Sequence, residues 1–391
     1  MKITDVRTHV LVVPAVKTDA TSSAQDDFVV EIETDEGIVG IGESDLNPWI
    51  GRACVEAPST HSMGLSLREM LLGEDPLDAE GLWQKLYAGS AMNGRRGAVI
   101  HAIGALEIAL WDIAGKAAGV PVFELLGGER RPITPYASLL PDVARFADFK
   151  PAIVDWAVRA TEQFSFRAVK LELIFDGPYA HQGIRVGDDK VTEVVAAVRG
   201  GVGPDITVMV DVGYAWNDVD RAAACISEWR DLDVFFVETP LRSDDVAGYA
   251  ELHGRDLGVK IAAGEWLATH YEFDELINRG VVDVAQPDVG RVGGFGEALR
   301  VARHAEREGR LIVPHAWKSG ISIAAAAHLA AASPNCIFIE YLPAELTDSP
   351  LRQELVAEDL AMVDGQIVLS EAPGLGVSLA PGALERFEVL D

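Results

Sequence analysis

The sequence predicts an α/β protein: a closed barrel of eight parallel strands wrapped by helices, with a smaller α+β domain formed by the N- and C-terminal segments. Three observations predict it. From about residue 133, short apolar runs alternate with helical segments. There are eight such runs, the number that closes a (β/α)8 barrel. Before them, the chain reads as a strand, a hairpin and two amphipathic helices, which do not belong to that alternation.

In order, Ile3 to Val13 alternates loosely as a strand. Phe28 to Thr34 and Ile38 to Glu43 flank Asp35-Glu36-Gly37, the composition of a hairpin turn. Lys17 to Asp27 and Ser44 to Ser66 are polar or rich in Gly, Pro and Ser, and read as mobile loops. Asp78 to Tyr87 is helical. So is Arg96 to Ala118, whose Val99, Ile103, Leu106, Leu110 and Ile113 recur at spacings of three and four before Gly119 and Pro121 stop it. The barrel runs are 133–137, 168–172, 206–211, 234–238, 260–265, 282–288, 311–315 and 337–340. After Leu360 the chain is irregular, and the strand-like Ile367 to Leu369 is expected to return to the first domain. The expected division is 1–130 for the capping domain, 131–360 for the barrel and 361–391 for the returning segment.

Composition narrows the function. The 391 residues hold 33 Lys+Arg against 61 Asp+Glu, a net charge of −28, yet 49% are hydrophobic, so this is a folded acidic protein rather than a disordered one. Such a field repels phosphate backbones and anionic lipid heads, excluding nucleic acid and membrane surface as partners. Cys54, Cys225 and Cys336 are scattered and odd in number, which points to no disulfide framework and no zinc knuckle. With no signal-like N-terminus and no run approaching 18 uncharged apolar residues, a cytoplasmic protein is expected. Gly293-Gly294-x-Gly296 lacks the spacing of a dinucleotide fingerprint.

Nearly every barrel run ends in an ionisable residue. Asp211, Glu238 and Glu265 are 27 residues apart each time, with Asp288, His315 and Glu340 following after 23, 27 and 25. One strand-plus-helix unit takes about that length, so the barrel gathers these groups at one mouth. A single strand-end carboxylate is most often a turn residue or an N-cap. Three on consecutive strands at equal spacing are not, and three carboxylates in one cavity require a counter-charge. Oxygen-only ligation favours Mg2+ or Mn2+ over zinc.

Lys170-x-Glu172, Asp211, Glu238 in Val-Glu-Thr-Pro, Glu265 in Gly-Glu-Trp, Asp288 in Gln-Pro-Asp, His315 in Val-Pro-His and Glu340 in Ile-Glu-Tyr together resemble the enolase superfamily, and within it the mandelate racemase subgroup. Ala105 to Lys116 and Leu125 to Gly128 resemble its helix leading into the barrel. The resemblance implies a capping domain on a modified (β/α)7β barrel, one Mg2+ per subunit on Asp211, Glu238 and Glu265, and a reaction that begins by removing a proton α to a carboxylate. It implies His315 as the base, Asp288 as its orienter, Lys170 steadying the substrate carboxylate, and Glu340 as a carboxylic acid kept protonated by burial. Where the family commonly carries Lys-x-Lys, this chain has Glu172 in place of the second Lys. Racemisation needs bases on both faces, so a dehydratase is expected: a hydro-lyase taking an aldonate or aldarate to its 2-keto-3-deoxy acid. An epimerase with Glu172 as second base, or a silent acid-sugar binder, are the alternatives, and a homo-oligomer is expected. Gly213 departs from the racemase, which has a side-chain amide there.

Specificity is expected from loops. Tyr136, Tyr214, Trp216, His270, Trp317 and Lys318 lie at or beyond strand ends, while Lys17, Trp49, Arg52 and His61 lie in the N-terminal loops. So many polar residues favour a hydroxylated sugar acid over an apolar one. With the metal trio balanced by a divalent cation and Lys170, Glu172 is left as the one unbalanced charge beside the substrate carboxylate.

Overall fold

The computed structural model describes residues 1–389, so the last two residues of the returning segment lie outside the described residues. The chain opens with an antiparallel sheet of β1 (Ile3–Val12), β2 (Asp26–Thr34) and β3 (Val39–Ser44). Its turn after Thr34 is made by Gly37 at φ 80°, a left-handed backbone that glycine takes without strain. The sheet rests on the helix Ala98–Ala118, which it approaches closely. A Cβ at Gly42 would lie 1.9 Å from the Ala105 carbonyl oxygen and one at Gly40 2.1 Å from that of Ala109, so only glycine permits this packing.

That helix is long and apolar enough to cross a membrane, more so than the sequence reading allowed, but here it is a core helix. Its two buried carboxylates are bonded inside the protein. Glu107 accepts from the Phe295 and Gly296 N–H groups at 2.7 and 2.9 Å, and Asp112 from those of Ile41 and Leu375 at 3.0 and 2.9 Å. Gly119, left-handed at φ 70°, ends it as expected. The earlier helix runs Ala79–Ser90, with Asp78 as its cap accepting from the Gly81 N–H at 3.1 Å.

The barrel strands are β4 (Pro135–Leu139), β5 (Ala168–Glu172), β6 (Thr207–Asp211), β7 (Val234–Glu238), β8 (Lys260–Ala263), β9 (Val284–Ala285), β10 (Leu311–Ile312) and β11 (Ile339–Tyr341). β4 to β10 pair in parallel with their chain neighbours, and β11 pairs in parallel with β4. The ends of the curled sheet meet at an Ile312–Cys336 bridge and a Glu340 N–H to Pro314 carbonyl bond of 3.3 Å. Inside, Tyr136, Met209, Phe236 and Val313 form a dry layer below the site. Burying each such side chain contributes roughly 1.5–3 kcal/mol, so the floor of the mouth is rigid.

The returning segment differs from expectation. β12 (Met362–Val363) and β13 (Gln366–Ile367) form a small hairpin, and Ile367 bridges Ile133 at the barrel's entrance rather than the first sheet. It is the chain's end that reaches that sheet, where Val389 donates to the Val10 carbonyl at 2.9 Å.

Candidate active site

Side chains two apart on a strand share a face, so Lys170 and Glu172 both point into the mouth from β5. Parallel register sets Glu172, Asp211 and Glu238 side by side at the ends of β5, β6 and β7. The Lys170 ammonium stands among them: Glu340 at 2.7 Å, Glu238 at 2.9 Å, Glu172 at 3.3 Å and Asp211 at 4.0 Å. Burial opposes its charge, but Glu172, Glu238 and Glu340 outweigh that and hold it protonated.

Asp211 accepts from the Thr239 hydroxyl at 2.6 Å and the Gly213 N–H at 2.8 Å. Two residues past β8, Glu265 accepts from the Tyr214 hydroxyl at 2.9 Å and from Arg291 at 3.3 Å. Past β9 and β10, His315 Nδ1 lies 2.8 Å from Asp288, while its Nε2 lies 3.2 Å from Glu265 and 3.7 Å from Glu340. Asp288 also caps the helix Val289–Val292, accepting from the Arg291 N–H at 2.9 Å, which holds its carboxylate in place behind the imidazole.

The surrounding charges push Glu340 and Glu172 in opposite directions. Burial would raise Glu340, yet Lys170, His315 and the Ala316 N–H outweigh it and bring it down to about 2. Glu172 is raised instead, well above the ordinary range, by burial and by Asp211 and Glu238. Ser138 explains how the two coexist. Its hydroxyl lies 2.8 Å from both Glu172 and Glu340, and one hydroxyl proton cannot serve two anions, so the second hydrogen bond calls for a proton on one of the two acids. Burial would lower His315, but Glu340, the Asp288 hydrogen bond and Glu265 push it up to about 9.

The family resemblance implies a divalent cation, and the residues fit one. Glu238 is wholly buried and pushed up to about 8, first by burial and then by Asp211, Glu340 and Glu265, and its Oε1 has no hydrogen-bond partner among the described residues. An orphaned carboxylate oxygen beside two further carboxylates is the donor set of a hard cation. Among the described residues no three side chains already stand as a formed ligand cluster, since Lys170 lies between Asp211 and Glu238 and Glu265 is held by Tyr214 and Arg291.

A cavity of about 170 Å3 opens on Lys170, Glu172, Asp211, Glu265 and His315. Of the expected specificity residues, Tyr214 and Trp317 line it. Others are elsewhere. Tyr136 is in the dry layer below, its ring 5.4 Å from the Lys170 ammonium. Trp216 packs on Trp229 and bonds Asp188, His270 bonds Glu297 at 2.8 Å, and Trp49 is exposed on the helix Pro48–Glu56. Lys17 pairs with Asp142 in an adjoining chamber, Arg52 is on the Trp49 helix, and His61 is exposed in its loop. Lys318 does not face substrate: buried at 2% exposure, it binds Asp26 at 2.8 Å and Asp45 at 3.0 Å, tying the first sheet to the barrel.

Sequence reasoning missed Arg291, Ser138, Tyr179 and Trp266. Arg291 is buried and joins Glu265 to Asp45, which burial would neutralise but Arg291 and Lys318 hold as a carboxylate. Tyr179, Tyr214 and Trp266 form one aromatic wall, with the Tyr214 and Trp266 ring centroids 4.2 Å apart. A lone arginine three residues past Asp288, in so acidic a site, was the one available signal.

Comparison with known proteins agrees with the fold. Residues 2–127 match the mandelate racemase/muconate lactonizing enzyme N-terminal domain, and residues 152–383 the enolase C-terminal domain-like family. The chain is 32% identical to D-galactarolactone cycloisomerase of Agrobacterium fabrum, covering 100% of both chains. It is 30% identical to arabinonate dehydratase of Saccharolobus solfataricus, covering 92% of this chain and 89% of that one. Its fold superposes on 3,6-anhydro-D-galactonate cycloisomerase of Zobellia galactanivorans with a TM-score of 0.87 at 28% identity, over 100% of both chains. With strand-end residues, fold and both domain families in agreement, the chain belongs to the mandelate racemase/muconate lactonizing enzyme family of the enolase superfamily.

Proposed function

We propose that this protein is a Mg2+-dependent acid-sugar dehydratase that converts an aldonate or aldarate to its 2-keto-3-deoxy acid. The observation that carries the reading is the buried His315–Asp288 pair facing the Lys170 carboxylate cluster, a base with its orienter beside a place for a substrate carboxylate. Relatives named for sugar-acid dehydration and cycloisomerisation support it. Asp211, Glu238 and Glu265 would hold one Mg2+ or Mn2+ per subunit, which supplies positive charge to the substrate carboxylate as its α-carbon is deprotonated.

His315 takes the α-proton. The electron pair left behind forms the C2–C3 double bond as the β-hydroxyl departs, and the same imidazolium returns its proton to that hydroxyl, releasing water. The enol then becomes the keto acid. Asp288 keeps the Nε2 face of His315 toward the substrate and supports its charge. For His315 to act as a base its proton must first leave, and neutralising Glu265 removes one of the anions that hold it. Lys170 and the acid of Glu172 face the carboxylate. Epimerisation with Glu172 as a second base is the competing outcome; burial and the neighbouring Asp211 and Glu238 raise Glu172, which supports dehydration over a second base there.

The division into a cap of 1–130, a barrel of 131–360 and a returning segment of 361–391 is part of this reading. So are a homo-oligomer and a reducing, cytoplasmic setting, the latter supported by three unpaired cysteines. The test is a panel of mono- and diacid sugars with added Mg2+ in D2O. Keto acid is expected. Inverted, α-deuterated substrate without keto acid would replace this reading with epimerisation, and binding without any exchange would make the protein a silent binder.

A further inference from the structure

A carboxylate can give a cation one oxygen or both, and what already occupies its oxygens decides which. Asp211 has one oxygen fully used. Its Oδ1 accepts from the Thr239 hydroxyl at 2.6 Å and from the Gly213 N–H at 2.8 Å, which fills the two lone-pair sites of that atom. Its Oδ2 stands 4.0 Å from the Lys170 ammonium, beyond hydrogen-bond reach. Glu238, its register partner on β7, is divided in the same way: Oε2 accepts from Lys170 at 2.9 Å, and Oε1 is unmet among the described residues.

Thr239 delivers its hydroxyl from a strained backbone. It is wholly buried and stands at φ 48°, in the left-handed region, where a β-branched side chain crowds its own main chain. Pro240 follows it and favours extended backbone before its ring. The strands on either side reach positive φ at glycine instead, at Gly213 (52°) past β6 and Gly264 (125°) past β8. The main-chain bonds of Thr239 do not call for a side chain. Its N–H donates to the Ala262 carbonyl at 3.0 Å and its carbonyl accepts from the Tyr214 N–H at 2.7 Å, and a glycine would make both without strain. What glycine lacks is the hydroxyl on Asp211. Tyr214, itself at φ 60°, repeats the arrangement one step on, donating its hydroxyl to Glu265 at 2.9 Å.

We infer that Thr239 is a positioning residue for the cation: by saturating Oδ1 it makes Asp211 a one-oxygen ligand, and so tilts the site toward Mg2+ or Mn2+ and against Ca2+. Mg2+ demands a small, near-ideal octahedron, which single carboxylate oxygens suit. Ca2+ is larger, takes more ligands and readily accepts both oxygens of one carboxylate. The inference rests on the reading of Asp211, Glu238 and Glu265 as the cation's holders, and is independent of which sugar acid is turned over.

The experiment titrates Mg2+ and Ca2+, each alone and without substrate, into the full chain as wild type, Thr239→Val, Thr239→Ser and Thr239→Gly. Calorimetry reads the affinities, and melting curves show that each variant folds. Thr239→Val keeps the branched shape, removes the hydroxyl and should weaken Mg2+ about 10- to 100-fold. Ca2+, which can use the freed oxygen, should lose less, so the ratio of the two affinities narrows. Thr239→Ser should stay near wild type in both affinities. Thr239→Gly, which adopts φ 48° without strain, should repeat the valine result and decides the matter if Thr239→Val fails to fold. Unchanged Mg2+ affinity without the hydroxyl, an equal loss for both cations, or a serine variant as weak as valine would overturn the inference. So would a wild type that binds no Mg2+. The expected affinities with no keto acid from any acid sugar would defeat the dehydratase reading and leave the role of Thr239 standing.

Discussion

Replacing Lys170 by Met removes the one ammonium among four buried carboxylates and keeps an unbranched chain of similar length. Each close pair is worth several kcal/mol: at an effective dielectric of about 20, two unit charges about 3 Å apart attract by about 5 kcal/mol. Desolvation of the ammonium offsets much of this, and removing one partner from a buried ion pair costs roughly 3–5 kcal/mol in total. With about 2.1 cal/mol/K of unfolding entropy per residue, a chain of this size moves about 1.2 °C per kcal/mol, so Lys170→Met should melt about 4–6 °C below wild type. The pH dependence has a definite sign. Without Lys170, the folded-state pKa values of Glu172, Glu238 and Glu340 rise above their unfolded values, the folded state binds more protons, and stability improves as pH falls. The deficit should therefore be largest near pH 8 and shrink toward pH 5, and Mg2+ at a hundredfold its dissociation constant should return about 2.7 kcal/mol. Calorimetry at both pH values, with and without Mg2+, measures all three. Wild-type melting at pH 8, or a deficit that grows on acidification, would refute the account of Lys170 as the resident counter-charge.

Four further outcomes are expected. His315→Asn should abolish α-proton exchange in D2O, followed by proton NMR, while Mg2+ still raises the melting temperature. Glu238→Gln should remove that Mg2+-dependent rise, read by the same melting curves, since it neutralises the carboxylate with the orphaned oxygen. Asp45→Asn should leave Arg291 and Lys318 short of an anion and destabilise by roughly 3–5 kcal/mol, with faster hydrogen exchange in residues 14–25. His9, buried between Glu31 at 3.0 Å and Glu388 at 2.9 Å, has a raised pKa despite burial because of those carboxylates. Its contribution is complete below about pH 6.5 and lost as pH rises through its folded value, so His9→Gln should flatten stability against pH in that window.

The ring of ionisable side chains at the barrel mouth was legible because each member sits at the end of a strand, and the repeat of one β/α unit carries that position through the sequence from Asp211 to Glu340. Side-chain pairings across the two domains were not. Lys318 looked like a free cation because Asp26 and Asp45 lie some 270–290 residues away in sequence, and no local pattern joins them. Ser138 was invisible for another reason. A serine within a strand is an ordinary residue, and only its doubled hydrogen bond marks it out. The opposite pulls on Glu172 and Glu340 followed the same logic, since they depend on which carboxylate Lys170 and His315 approach more closely.

The clamp of Asp45 between Arg291 and Lys318 bears on how specificity can be exchanged among relatives. Swapping one protein's cap onto another's barrel is an obvious way to graft loops, but here the seam has a key. A donor cap without an acid after β3 would bury two cations unpaired, and a recipient barrel without the arginine would strand the acid and loosen Glu265. Chimeras should succeed only when positions 45, 291 and 318 travel as one set.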